Sequence, residues 1–180
     1  MRKESIRKYL MSIIFINLIF ISTQKNASAQ CEIEGKLDAS GIMYYYADLV
    51  KVFWTSAKSL HCGAFTDDAS YYLQFYPTPF PAKSKKKFPK DIARVELSNG
   101  DTFELEFFDS RYTSNDTVFV MQFLLPDESL DEFISHEISK VTLNLVDQDG
   151  LREYKLKLHK DAIKEQLECL FKHVNENKKE

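Results

Sequence analysis

The chain has 180 residues, with 24 Lys+Arg against 27 Asp+Glu and a formal net charge of −3. Hydrophobic residues make up 44% and charged residues 28%, with 5 Gly and 5 Pro, which excludes a disordered, collagen-like or low-complexity chain. The length fits a single domain.

Arg2, Lys3, Arg7 and Lys8 precede an apolar run from Leu10 to Ile21, and a polar stretch then ends in Ala27-Ser28-Ala29. A basic start, a short apolar run and a small-x-small site form the secretory signal pattern. The run is well short of the roughly 20 apolar residues that a membrane-spanning helix needs, and no second run of that length follows. The expectation is a signal peptide over 1–29, cleaved before Gln30, and one exported domain over 30–180 with no transmembrane segment, periplasmic or secreted. A lipid anchor at Cys31 is the alternative, against which stands Gln30 where a lipobox places Gly, Ala or Ser. Cleavage removes five basic residues and one acid, leaving 19 against 26 and a net charge of −7. An acidic domain is poorly suited to neutralising phosphates, so no nucleic-acid partner is expected.

Three cysteines remain after cleavage: Cys31, Cys62 and Cys169. Export places them in an oxidising compartment, so all three are disulfide candidates and one is left over. Three pairings are open; a bridge to Cys169 is preferred because it would tie the C-terminal helix to the domain. Buried reduced thiols are the blander reading.

Along the chain, Ile42 to Ser56 has apolar residues at helical spacing, but its aromatic and β-branched content reads as a strand. Tyr71 to Tyr76 is a strand that stops at Pro77, and the prolines and lysines that follow form a loop. Ile92 to Leu97 and Phe103 to Phe107 alternate around Asn99-Gly100, predicting a hairpin with a two-residue type I′ turn. Thr117 to Leu125 is nearly all apolar and reads as a central strand. A short helix is expected from Glu128 to His136, with Leu130, Phe133 and Ile134 inward. Ile138 to Val146 and Leu151 to Leu158 form a second hairpin around Asp147-Gln148-Asp149-Gly150. A final amphipathic helix starts at Asp161 as N-cap, with Ile163, Leu167, Leu170, Phe171 and Val174 on its buried face. The predicted class is α+β: a mainly antiparallel sheet or partly closed barrel, with a short helix and a C-terminal helix packed on it. About seven antiparallel strands before a helix resembles, in element order, the pleckstrin-homology-like barrel.

No HExxH, GxSxG, P-loop or CxxC pattern occurs, so no cofactor or metal is expected. His61-Cys62 places an imidazole beside a thiol, but neighbours in a strand point to opposite faces. His136 sits at a helix–strand junction without further ligands at metal spacing. Asp147-Gln148-Asp149-Gly150 lacks the helices and the distal Glu of a calcium loop and reads as a turn. Asp67-Asp68 could share a proton or cation, and reads equally as a solvated loop.

The least ordinary stretch is Tyr76 to Lys90, where Lys83, Lys85, Lys86, Lys87 and Phe88 lie without an acid. Lysines in such a loop also deter edge-to-edge sheet pairing. As a binding site they would suit an anionic envelope component or another protein. The leading expectation is an exported, non-enzymatic binding or interaction domain, with this loop and the aromatic segment Tyr44–Trp54 as contact surfaces. The alternatives are a small secreted hydrolase using Cys62 or a carboxylate pair, and an inhibitor or immunity-type protein. Asn115-Asp116-Thr117 meets the N-glycosylation rule, which matters only in a eukaryote. The isoleucine-rich signal and Ala29-Gln30 junction resemble those of small exported proteins of the Bacteroidota, which implies an envelope or secreted location and no activity.

Overall fold

The computed structural model describes residues 32–80, 92–113, 118–145 and 150–177. Among them are ten strands: β1 (Ile33–Leu37), β2 (Met43–Ala47), β3 (Val50–Trp54), β4 (Ser59–Thr66), β5 (Tyr71–Thr78), β6 (Ile92–Leu97), β7 (Thr102–Thr113), β8 (Val118–Leu125), β9 (Ile138–Leu145) and β10 (Gly150–Lys155). A 3-10 turn over Asp127–Ser129 leads into helix α1 (Leu130–Ser135), and the last element is helix α2 (Ala162–Asn177). All strand pairs are antiparallel. The order across the sheet is β1-β2-β4-β5-β8-β7-β6-β9-β10, with β3 also on β4. This is the α+β class that the alternating strand residues predict, and the ladder does not close.

β7 turns one half of the sheet into the other. Its first residues pair with β6, its later ones with β8, and the register shifts between Phe107 and Asp109. Such a bulge bends and twists a strand. A single core cluster draws on both halves, including Cys62, Leu73, Phe75 and Phe123 from one and Val95, Leu143 and Tyr154 from the other. Side chains, not a ladder, bring β3 and β10 together. The Phe53 and Tyr154 rings meet edge-on, with centroids 5.4 Å apart. Lys58 Nζ donates to the Glu153 carbonyl at 2.8 Å and lies over both rings. Arg152 Nη1 donates to the Pro79 carbonyl at 2.6 Å.

Along β4 the neighbour changes from β2, which meets Phe65 and Thr66, to β3, which meets Ser59 to Cys62. The backbone between them has no strand partner on that side. Gln166 of α2 fills the gap: its Oε1 accepts from Ala64 N–H at 2.8 Å, and its Nε2 donates to the Asp48 carbonyl at 2.7 Å. Buried backbone groups must be paired somewhere, and one glutamine side chain satisfies the buried Ala64 donor while also holding the carbonyl of the exposed Asp48. Ile163, Leu167, Leu170 and Val174 bury the remaining helix face.

Several expectations change. The segment Ile42 to Ser56 is two strands, β2 and β3, divided at Asp48-Leu49, and β1 and β4 add strands that composition alone does not reveal. The barrel likeness rested on about seven strands, whereas the described residues hold ten in a sheet that stays open. β5 runs on through Pro77, because beyond Phe75 it has only β4 as its neighbour and no ladder is lost on the other side. The turn at Asn99-Gly100 is not type I′. Gly100 has φ +96° while Asn99 does not lie at positive φ, and Gly100 N–H donates to Leu97 O at 3.1 Å. Asn99 Oδ1 accepts from Asp101 N–H at 3.0 Å, so a three-residue loop with a glycine bulge replaces the two-residue turn. Phe171, expected on the buried face of the last helix, is 43% exposed.

Two substitutions test this packing by urea denaturation. Gln166→Ala orphans the buried Ala64 donor, while water can reach the Asp48 carbonyl, and is expected to cost about 1–3 kcal/mol, the range for one buried group left unpaired. Tyr154→Phe is expected to be neutral or stabilising, since the Tyr154 hydroxyl is buried without a hydrogen bond of good geometry; burial raises its pKa, and a polar contact with Arg152 and then the Arg152 charge oppose the rise.

Candidate functional site

Residues alternate across β4, β5 and β8. Cys62, Ala64, Leu73, Phe75, Met121 and Phe123 face the core. Their neighbours in register turn the other way and make two adjoining rows on the opposite face. One row is aromatic: Tyr46 pairs with Phe65, and Phe65 with Tyr72. The other is polar: Gly63 pairs with Gln74, Gln74 with Gln122, and Gln122 with Asp109. Lys51, His61 and Tyr76 lie in register beside it, and Arg111 pairs with Val120.

The polar row holds two glutamines that are 4% and 2% exposed, Gln74 and Gln122. Arg111 Nη1 donates to Gln122 Oε1 at 3.4 Å and to Asp109 Oδ2 at 2.9 Å. A guanidinium can only donate, so it fixes the Gln122 amide with its oxygen towards Arg111. Tyr76 Oη donates to Gln74 Oε1 at 3.2 Å. Among the described residues neither glutamine nitrogen has an acceptor. Gly63 makes room for the Gln74 amide: a Cβ there would lie 3.1 Å from Gln74 Nε2 and 3.0 Å from Leu49 Cδ2. Burial raises the Tyr76 hydroxyl above its ordinary pKa while the Arg111 charge opposes the rise. Burial and then the Lys51 charge hold His61 below the usual histidine range.

The aromatic row is a cross-strand stack. Tyr46 and Phe65 lie 5.0 Å apart at 19°, Phe65 and Tyr72 4.7 Å apart at 10°, and Phe108 continues the line 4.7 Å from Tyr72. Rings stacked on one another use their faces internally and leave edges outward. These tyrosines therefore hold adjacent strands together, and of the expected aromatic contact segment it is Trp54 that stands well exposed, at 59%.

The other candidates are scattered. Lys83, Lys85, Lys86, Lys87 and Phe88 lie outside the described residues, as do Cys31, Asn115 and the turn over 147–149. Cys62 is a free thiol sealed in the core, and burial pushes its pKa well up. A nucleophilic thiol needs access and a depressed pKa, so Cys62 reads as core packing. Asp67 and Asp68 lie in the turn between β4 and β5. Asp67 accepts from Ala69 and Ser70 N–H and from Tyr72 Oη, while Asp68 takes φ +69° in the same turn. His136 caps the end of α1 beside Glu132, and His173 packs on Tyr45. Among the described residues no cluster of three His, Cys, Asp or Glu could hold a metal ion, and no helix is long and apolar enough to cross a membrane. The glutamine row was missed from the sequence. Its one signal was Gln at alternate positions in apolar strands, Gln74 in YYLQFY and Gln122 in VFVMQFLL.

Two measurements check these roles. Iodoacetamide should leave Cys62 unmodified in the native protein and label it only after denaturation. For His61, a folded pKa below the unfolded one means that the unfolded chain takes up the proton first. Stability should therefore fall as pH drops below about 6.5, and His61→Gln should flatten that part of the wild-type profile.

No family model, curated protein or solved structure matches the chain.

Proposed function

We propose that the protein is an exported, non-enzymatic binding domain whose ligand is an acidic polysaccharide held on the glutamine row. Export rests on the signal pattern over 1–29, with cleavage before Gln30 and residence in the periplasm or outside the cell. The exported chain carries one disulfide among its three cysteines, as an oxidising compartment favours. The single observation that carries the binding reading is the pair of nearly buried amides, Gln74 and Gln122, whose nitrogens lack acceptors among the described residues. Neither nitrogen is sealed from solvent, so an acceptor arriving from outside can reach two donors whose amides Tyr76 and Arg111 already orient.

The surrounding charges narrow the ligand. Lys51 and Arg111 outnumber Asp109, and His61 adds no anion. Carboxylates and hydroxyls are acceptors that such donors hold well, and charge-assisted contacts of this kind are the stronger ones. A row that crosses strands in register suits an extended polymer lying over the sheet.

Isothermal titration with polygalacturonate and hyaluronate, with neutral dextran as control, tests this reading. Both acidic polymers should bind and dextran should not. Gln122→Leu, which keeps volume and removes the amide, should weaken binding at least about tenfold, the equivalent of one lost hydrogen bond of about 1.4 kcal/mol. Binding of dextran as tight as that of the acidic polymers, no binding of either acidic polymer, or binding that survives Gln122→Leu unchanged would overturn it.

A further inference from the structure

We infer that the exported chain joins Cys31 to Cys169, stapling the entry to β1 onto α2; the inference rests on the export proposed above. Cys62 is the one free cysteine among the described residues, and Cys169 is disulfide-bonded. Cys62 cannot serve as the partner without unpacking the sheet, since it lies 1% exposed on the core face of β4, opposite Val50 and Phe75. With three cysteines in the exported chain, Cys31 is the partner that remains.

The placement of the described residues brings the two ends together. On α2, Gln166, Cys169 and His173 are three and four apart and share one flank. Gln166 reaches the Asp48 carbonyl at 2.7 Å, and the His173 ring lies 4.6 Å from that of Tyr45. The flank therefore runs along the end of β2, with Cys169 between those two contacts. β1 lies beside the same stretch, Ile33 opposite Ala47 and Gly35 opposite Tyr45. Cys31 precedes Ile33 by two residues, a reach of about 7 Å of extended chain. A disulfide asks for Cα atoms about 4.4–6.8 Å apart, and β1 and α2 flank the same stretch of β2, which is the juxtaposition that such a bond needs.

The bond forms by oxidation of both thiols. Each sulfur gives up its proton, and the pair surrenders two electrons to the disulfide of a thiol oxidant, which departs as a dithiol. The same sulfur of Cys31 cannot also carry a lipid thioether, so the staple and a lipid anchor are mutually exclusive. β1 is the edge strand of its half of the sheet, and the bond fixes it where ladder pairing on one side alone leaves it loosest.

The test uses the full chain, expressed with its N-terminal segment in a bacterium with an oxidising periplasm. The intact mass shows whether cleavage before Gln30 has occurred. Alkylation after denaturation should modify one cysteine without reductant and three with it, and digestion should release a linked peptide pair containing Cys31 and Cys169. A cleaved chain with three modifiable cysteines, a linked peptide containing Cys62, or a lipid mass on Cys31 overturns the pairing and leaves export standing. An uncleaved chain overturns export instead; oxidation of that purified chain in a glutathione redox buffer then decides the pairing, which fails if the Cys31–Cys169 peptide is not formed. Cys31→Ser and Cys169→Ser should each lower Tm by about 10 °C. The double variant should lose no more than either single one, as partners in one bond must. Additive losses would point to two separate packing roles and overturn the bond.

Discussion

The architecture turns on a gap in a ladder. β4 has two successive neighbours on one side, and between them its backbone would face the interior unpaired. Gln166 answers both the Ala64 donor and the Asp48 acceptor. That requirement sets where α2 lies and how it is rotated, because only one position on the helix carries the amide. Once Gln166 is seated, the apolar stripe from Ile163 to Val174 lies on the sheet, and the flank with Cys169 and His173 is turned towards β2. Apolar packing supplies most of the stabilisation, being proportional to area and indifferent to direction. The glutamine supplies the direction.

A second constraint shapes the sheet. β7 serves β6 with one half and β8 with the other, so the bulge at Phe108 is the corner of the molecule. The turn between β3 and β4 then meets β10, and Lys58 spans them by donating to a carbonyl of β10 while covering two rings. A lysine stem over aromatic faces with its head group bonded stabilises such a junction without continuous pairing. The open ladder leaves the face opposite the core free to carry a polar row. On that face the stacked rings brace the strands, and the glutamines beside them keep hydrogen-bonding capacity in reserve.

Both functional readings grow from the same property of strands. Alternation puts Cys62 in the core and His61 on the other face, which removes the adjacent imidazole–thiol pair as a catalytic unit. The same alternation lines up His61, Gln74 and Gln122, which are far apart in sequence. A thiol sealed in the core also leaves the other two cysteines to each other.

Local pattern was enough for much of the fold. The hairpins around Asn99-Gly100 and Gly150, the short helix with Phe133 inward and the final amphipathic helix show periods of 2 or 3.6 residues, which strand and helix geometry impose on a half-buried element, and the strand ending at Leu125 shows as a continuous apolar run. The antiparallel α+β class follows from them. β1 and β4 were not legible, because IEGKL and SLHCGAFT carry weak alternation and gain their strand form from the partners on either side. Nor was the break at Asp48-Leu49, which exists because β4 exchanges neighbours there and α2 supplies the missing bonds. The glutamine row likewise depends on register among β4, β5, β7 and β8, and register is a relation between strands that pairing and packing decide. Thus sequence by itself determined which segments become strands and helices wherever one face must be dry. Tertiary structure alone decided which polar side chains meet, since that depends on contacts between residues far apart in sequence, 118 positions at Asp48 and Gln166, which no local period encodes.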